Sequence, residues 1–189
     1  MVYFLFRRRT FFLGLAPVAL LLVARPTLES IALGLPFVVA GEAIRIWAAG
    51  YIRKLATLTT AGPYALCRNP IYVGMFLVSI GYLAMCSRPA AWIVGVIYFW
   101  LFHGGAVLHE EKLLREKFGE AYEAYCREVP RFVPRLRRLT GEGTFSWRQF
   151  VSNNEHIGAV ATVLLTALFV LNACGASHAP FGWLIATRP

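Results

Sequence analysis

The chain contains no aspartate. Its ten acidic residues are all glutamates and stand against 19 lysines and arginines, for a net charge of +9. The arginines flank apolar runs and form no separate basic domain, so no nucleic-acid partner is expected. In a membrane setting the same excess marks cytoplasmic loops in contact with anionic lipid headgroups. Cysteine is scarce too. Cys67, Cys86, Cys126 and Cys174 include no C-x-x-C pair, so no zinc or disulfide framework is implied and the four read as reduced thiols. Of the four histidines, His103 and His109 are six apart. That spacing does not set two ligands on one helix face as an i,i+4 pair would. No metal site is expected.

What the chain has instead is apolar length. Hydrophobic residues make up 58% of its 189 positions, and mean hydropathy is +0.57. A soluble domain is only about half apolar. The excess falls in five runs, which predicts a single all-α integral membrane domain over residues 1–189, with five transmembrane helices. Thr10 to Ala24 follows Arg7 to Arg9. It is short against the about 20 residues that a span needs. A basic start before a short apolar run also resembles a signal peptide. Arg25 and Pro26 follow in place of a small-x-small cleavage site, so a retained first span is expected. Leu28 to Ile52 comes second. It holds Glu42 and Arg45, three residues apart on one helix face. Ionisable residues in a span are functional candidates; a pair that simply neutralises itself is an equal alternative. Ile71 to Cys86 and Ala91 to Leu108 are joined by Ser87-Arg88-Pro89, a turn tight enough to predict an antiparallel hairpin. A polar linker from Gly141 to Asn154 leads to the last span, residues 157–175.

His109 to Val129 differs. Leu114, Phe118, Ala121 or Tyr122, and Tyr125 recur at helical spacing with charges between them, which predicts an amphipathic helix. Glu111 with Arg115 and Glu123 with Arg127 are expected i,i+4 pairs. Pro130 and Pro134 end the helix. With five spans, Arg7 to Arg9, Arg53, Lys54, Arg68 and the basic residues from Lys112 to Arg138 share one membrane face. Arg25, Arg88 and Arg188 take the other. The rule that positive loops stay inside then places the N-terminus in the cytoplasm, together with both polar motifs described next.

The first motif is Gly62-Pro63-Tyr64 followed by Arg68-Asn69-Pro70-Ile71-Tyr72-Val73-Gly74. Asn69 is a helix-capping residue type and Pro70 suits the first helical turn. The positive end of that helix, beside Arg68, suits a carboxylate or phosphate. Tyr64 and Tyr72 can stack on a ring or hydrogen-bond a ligand; Gly62 and Gly74 allow close backbone approach. An ordinary loop-to-helix entry with a snorkelling Arg68 and interfacial tyrosines is the plainer reading of these residues taken alone. The second motif is His109-Glu110-Glu111. Adjacent carboxylates repel and call for a positive neighbour. Their oxygens suit ribose hydroxyls or an ammonium group; the solvated start of an amphipathic helix is the plainer reading. His103 and Glu110 are seven apart and expected on one face. The hairpin would bring both motifs to one membrane face.

Together, G-P-Y, R-N-P-x-Y-x-G, a hairpin, E-E-x-x-L (Glu110 to Leu114), Phe118-Gly119, Tyr122, Tyr125 and Val129 to Pro134 resemble the isoprenylcysteine carboxyl methyltransferase and phospholipid methyltransferase superfamily. The resemblance covers residues 62–134. It implies an integral membrane methyltransferase whose cytoplasmic amphipathic helix covers an S-adenosyl-L-methionine site, with a membrane-facing entrance for a lipophilic or prenylated substrate; the compactness of the chain points to a bacterial inner membrane. Eukaryotic members more often carry histidine where this chain has Asn69. The implied cofactor-binding residues are Gly62, Tyr64, Arg68, Asn69, Pro70, Tyr72, His109, Glu110, Glu111, Tyr122 and Tyr125. Arg68 and the helix start would take the carboxylate, Glu110 or Glu111 the ammonium or ribose, and the tyrosines the adenine or sulfonium. Glu111, His109 and Arg131 are the catalytic candidates. A carboxylate acceptor needs no base; an amine acceptor needs one, for which Glu111 or His109 is suited. Tyr125-Cys126-Arg127-Glu128-Val129-Pro130 also resembles the ending of NADPH-dependent membrane sterol reductases, which are longer. A non-catalytic membrane binding protein is the third class.

Overall fold

The computed structural model describes residues 9–53, 56–135 and 143–175. Of the basic residues in the topology argument, Arg7, Arg8, Lys54, Arg137, Arg138 and Arg188 lie outside these. The described residues are all-α, with no strand. In chain order they form α1 (Arg9–Val23), α2 (Leu28–Tyr51), a 3-10 turn (Gly62–Ala65), α3 (Pro70–Cys86), α4 (Pro89–Phe99), a π turn (Trp100–Gly104), α5 (Gly105–Glu128), α6 (Trp147–Ser152) and α7 (Glu155–Cys174). Among the described residues, three helical stretches are long and apolar enough to cross a membrane: α2, the continuous 40 residues from Pro89 to Glu128, and α7. The 17 residues of α3 reach about 26 Å at 1.5 Å per residue, just under the roughly 30 Å hydrocarbon core. The 15 residues of α1 reach about 22 Å.

Local sequence explains the boundaries. Thr27 and Ser30 form a capping box at the start of α2, each side chain bonding the other's backbone N–H. Ser87 takes a left-handed conformation at the end of α3, and Pro89 opens α4, so the expected turn reverses the chain. One expectation needs correction. The amphipathic segment is not a separate element at His109; it continues the fourth apolar run through the π turn as one rod. The rod breaks instead at Gly119, whose φ of 50° and ψ of −125° are open to glycine but costly for other residues.

Two features set the bundle. First, α2 and α3 pack backbone to backbone. A Cβ on Gly34 would lie 2.4 Å from the Gly81 carbonyl oxygen, and one on Gly41 would lie 2.5 Å from that of Gly74. Seven-residue spacing on both helices places these glycines in antiparallel register, the small-residue contact that membrane helices favour. Gly74 therefore serves this helix contact, with its own Cβ position 2.5 Å from the Gly41 carbonyl oxygen. Second, Glu42 and Arg45 do more than pair within α2. Arg45 donates to Glu42 at 2.8 Å and to Glu155 of α7 at 3.0 Å, while Thr162 of α7 donates to Glu42 at 3.2 Å. Tyr82 of α3 donates to the Thr162 carbonyl at 2.8 Å. Polar bonds thus join three helices whose apolar contact comes from Ile31, Val38, Val78, Tyr82, Met85 and Phe169.

Candidate active site

The end of α2, the 56–69 connection, the start of α3, the first turns of α5 and the start of α7 enclose a cavity of about 390 Å³. That is within the roughly 300–1,000 Å³ of small-ligand sites. Tyr64, Arg68, Asn69, Pro70, Tyr72, His109, Glu110, Tyr122 and Tyr125 line it, so residues from both motifs meet there. Gly62, Glu111 and Arg131 are not among its lining residues. Gly62 has φ +58°, and a Cβ there would sit 2.7 Å from the Tyr51 ring. Its freedom serves a turn against α2.

Glu111 is 3% exposed and is held on several sides. Arg131 grips it in two bonds, Nε to Oε1 at 3.0 Å and a terminal nitrogen to Oε2 at 2.7 Å. Asn69 Nδ2 donates to Oε1 at 3.1 Å, and an Arg68 terminal nitrogen lies 3.8 Å from it. This geometry corrects two expectations. Asn69 occupies the N-cap position of α3 but makes no capping bond with its side chain; its amide is drawn to the Glu111 carboxylate and the Arg131 carbonyl instead. Glu111 does not pair with Arg115, because Arg131 and Arg68 occupy it. Arg115 reaches across the Gly119 break to Glu123, which a straight helix would place too far away. Lys112 and Glu116 make an exposed i,i+4 pair at 3.8 Å.

The same bonds strap the segment after α5 to the first motif. The Arg68 N–H donates to the Pro130 carbonyl at 2.8 Å, and the Arg135 N–H to that of Leu66 at 3.0 Å. Tyr125 donates to the Tyr64 carbonyl at 2.7 Å. Tyr72 donates to Glu110 at 3.2 Å. His103 is buried, stacked on Phe99 with ring centroids 4.5 Å apart and edge-on to Tyr72; it is a packing residue and does not line the cavity.

Three buried polar atoms of cavity residues have no hydrogen-bond partner among the described residues: the Tyr64 and Tyr122 hydroxyls and Arg68 Nε. Buried polar groups are normally satisfied, so these donors are poised for a ligand. Burial holds the Tyr64 phenol well above its usual pKa, with Glu110 adding to the effect. Burial likewise raises Tyr122, helped by the Glu111 charge, and Tyr125, helped by Cys67. All three stay neutral donors. Two guanidiniums, Arg53 and Arg68, neutral phenols, an imidazole and two carboxylates, Glu110 and Glu155, stand beside apolar Ile71, Met75, Leu113 and Leu114 and can meet a ligand that carries both charges and an aromatic ring.

The contributions of Ile52, Arg53, Thr57, Leu58, Thr59, Ala106 and Glu155 to the wall are not apparent from sequence. Glu155 falls between a polar linker and an apolar run, and composition gives such a boundary residue to neither. A lone acid at the mouth of a span was the signal available.

The family model described as phospholipid methyltransferase matches residues 30–121. The chain is 40% identical over 111 residues to the cobalt-zinc-cadmium resistance protein CzcN of Cupriavidus metallidurans, covering 58% of this chain and 50% of that protein. It is 36% identical over 103 residues to the nickel-cobalt-cadmium resistance protein NccN of Alcaligenes xylosoxydans, covering 53% and 48%. It is 38% identical over 86 residues to the protein-S-isoprenylcysteine O-methyltransferase of Mus musculus, covering 46% and 30%. The chain thus matches about half the length of the two bacterial relatives. No solved structure matches it.

Proposed function

The chain belongs to the family of phospholipid and isoprenylcysteine carboxyl methyltransferases, and from that premise we propose that it methylates a lipophilic acceptor with S-adenosylmethionine. The family uses this cofactor and acts on lipid or prenylated substrates. The protein is a multi-pass membrane protein related to bacterial ones. Our fuller reading is one domain with five spans in an inner membrane, its N-terminus and cavity cytoplasmic, and residues 62–134 forming the cofactor region.

The observation that carries this reading is the cavity with its three unpartnered buried donors. When bound, S-adenosylmethionine supplies a methyl group activated on a sulfonium. Arg68 would hold the carboxylate, Glu110 the ammonium or ribose, and the tyrosines the adenine and the cationic sulfur. Orientation and exclusion of water by these groups provide much of the catalysis. Glu111 and Arg131 act by position, fixing the strap that closes the wall. His109 lines the cavity and takes the base role for an amine acceptor.

Calorimetric titration of detergent-purified protein with S-adenosylhomocysteine and, separately, NADPH tests the proposal. Saturable binding of the first alone is expected. Binding of NADPH alone would replace it with a reductase, and binding of neither, in detergent or in nanodiscs, with a non-catalytic protein. Arg68→Ala should weaken S-adenosylhomocysteine binding by about 1.5–3 kcal/mol, the range for a hydrogen bond to a charged group. Unchanged affinity in a folded variant would remove Arg68 from the carboxylate.

A further inference from the structure

A second recess, of about 440 Å³, opens beside the cavity, and Arg53 lines both. Its other lining residues are Ala56, Gln149, Ser152, Asn153 and Asn154. No carboxylate is among these described residues. The recess sits where α2 ends at Tyr51 and α7 begins at Glu155, at the mouths of two helices long and apolar enough to cross a membrane. Asn153 ties its walls together, donating to the carbonyls of Ala49 at 2.9 Å and Ile52 at 3.0 Å. Asn154 adopts a left-handed conformation, φ 60°, one that Asn tolerates better than most residues. On the opposite wall the Ala56 N–H donates to the Arg53 carbonyl at 3.0 Å.

The short α6 sets the depth of the recess. At about 100° per residue, Gln149, Ser152 and Asn153 share one side of it, and Trp147 and Val151 take the opposite side. The first side lines the recess; Trp147 and Val151 are 65% and 52% exposed. Phe150 is buried between them, and the Phe145, Trp147 and Phe150 rings meet edge-on. A helix with a polar inner side and an exposed tryptophan on its apolar outer side is suited to lie in a membrane interface, which puts the recess at headgroup depth. Its chemistry is that of an anion seat. The Arg53 guanidinium is exposed and makes no ion pair among the described residues. Two side-chain amides, Gln149 and Asn154, and the Ser152 hydroxyl stand around it as neutral donors. A guanidinium fork matches phosphate oxygens.

We propose that this recess binds the phosphodiester of an anionic glycerophospholipid, with Arg53 as the charged contact and Gln149, Ser152 and Asn154 as neutral donors. Free phosphate offers the same oxygens, but the surroundings favour a lipid. Ile157, Val160 and Leu164 of α7, at i, i+3 and i+7, form an exposed apolar stripe that starts three residues after Asn154, beside which acyl chains can lie. The inference goes beyond the methyl-transfer reading and does not depend on it, since every lining residue lies outside 62–134 and no cofactor is involved.

The test titrates the detergent-purified full chain with short-chain phosphatidylglycerol, short-chain phosphatidylcholine and inorganic phosphate, and reads bound molecules by native mass spectrometry. One saturable phosphatidylglycerol is expected, held about fivefold more tightly than phosphatidylcholine, the scale of one exposed charge-assisted contact. Arg53→Gln should bring the two lipids to equal affinity. Arg148→Gln is the control, because it removes a charge from the same helix but from a residue outside the recess; it should leave the preference in place. Equal losses in the two variants would reduce the effect to general attraction by a basic surface and overturn the site. So would equal affinity for the two lipids in the unaltered protein, or saturable binding of neither. Inorganic phosphate binding as tightly as phosphatidylglycerol would assign the recess to a soluble anion and overturn the lipid. If Arg53→Gln does not fold, Ser152→Leu decides: an apolar side chain in the recess should abolish the saturable phosphatidylglycerol, and its retention would overturn the proposal.

Discussion

The break at Gly119 offers the sharpest test of how the cavity is built. With φ 50° and ψ −125°, an L-residue there carries about 1–3 kcal/mol of backbone strain. The site is open, with nothing within 4 Å of a Cβ, so no steric clash confounds the measurement. Alanine would also favour a straight helix over glycine by about 1 kcal/mol. Together the terms tilt the chain toward a continuous α5 by roughly 2–4 kcal/mol, or about 30- to 700-fold. That exceeds the about 1 kcal/mol net of the Tyr125 hydrogen bond to Tyr64. A straight α5 would swing Tyr122 and Tyr125 away from the cavity and separate Arg115 from Glu123. Gly119→Ala should therefore weaken S-adenosylhomocysteine binding at least tenfold, measured by calorimetry, with new amide protection across 119–123 in hydrogen exchange. Gly104→Ala is the control: its Cβ would make only an ordinary 3.5 Å contact with Trp100, and it should change stability by no more than about 1 kcal/mol. Wild-type affinity and unchanged exchange in Gly119→Ala would refute the idea that the break positions the tyrosines.

Three further outcomes follow from the same geometry. Gly74→Ala puts a methyl 2.5 Å from the Gly41 carbonyl oxygen and 2.6 Å from Arg45 Cγ; the backbone cannot yield, so a loss of about 1–3 kcal/mol is expected in thermal unfolding in detergent, and an unchanged midpoint would contradict the packing. Glu111→Gln removes the shared partner of Arg68 and Arg131. Because Arg131 is 43% exposed, the loss should fall near the low end of the 3–5 kcal/mol range for broken buried pairs, about 3 kcal/mol, and limited proteolysis should newly cut at residues 130–135; a protease-resistant segment would show that the strap does not depend on Glu111. Alkaline pH should destabilise the protein. Burial lifts the Cys67 thiol from 9.0 to about 11, and the Tyr64, Tyr122 and Tyr125 phenols above 10.0. The fold favours their neutral forms, so this stabilisation is complete below the unfolded values and lost as pH rises through the folded ones. Unfolding midpoints should be level in this respect up to about pH 9 and fall from there to pH 11; a rise over that interval would reverse the assigned sign.

Much of the scaffold is legible from residues alone, because apolar run length and turn chemistry act locally. Leu28 to Ile52, Ile71 to Cys86 and 157–175 match α2, α3 and α7 to within two residues, and Ser87-Arg88-Pro89 marks the turn. The convergence of Arg68, Tyr72, Glu110 and Tyr122 on one cavity follows from the hairpin. What was not legible depends on competition between distant partners. Asn69 has a capping side chain, but its amide is oriented by Nδ2 donating to the Glu111 carboxylate and the Arg131 carbonyl, and its oxygen makes no capping bond with the backbone N–H groups of α3. Glu111 and Arg115 have helix-pair spacing, yet Arg131, twenty positions on, makes a two-bond grip that a surface pair does not match. The short α6 lies in a stretch whose polar composition gives no helical period, and its junction is fixed by Asn153 bonds to α2.

The adjacent acids Glu110 and Glu111 show how the two motifs interlock. Side by side in sequence, they should repel. On a helix of 3.6 residues per turn they point about 100° apart, and each meets a different donor from the start of α3. Tyr72 reaches Glu110 on the cavity side; Asn69 reaches Glu111 on the strap side. Asn69 and Tyr72 are themselves three apart, so one turn of α3 addresses both. The repulsion is thereby replaced by two separate locks, and the carboxylate left facing the cavity is the one held by a single neutral phenol. That asymmetry divides the work of the pair: the acid compensated by guanidinium groups holds the wall together, and the acid without such compensation is the one suited to bind a cation.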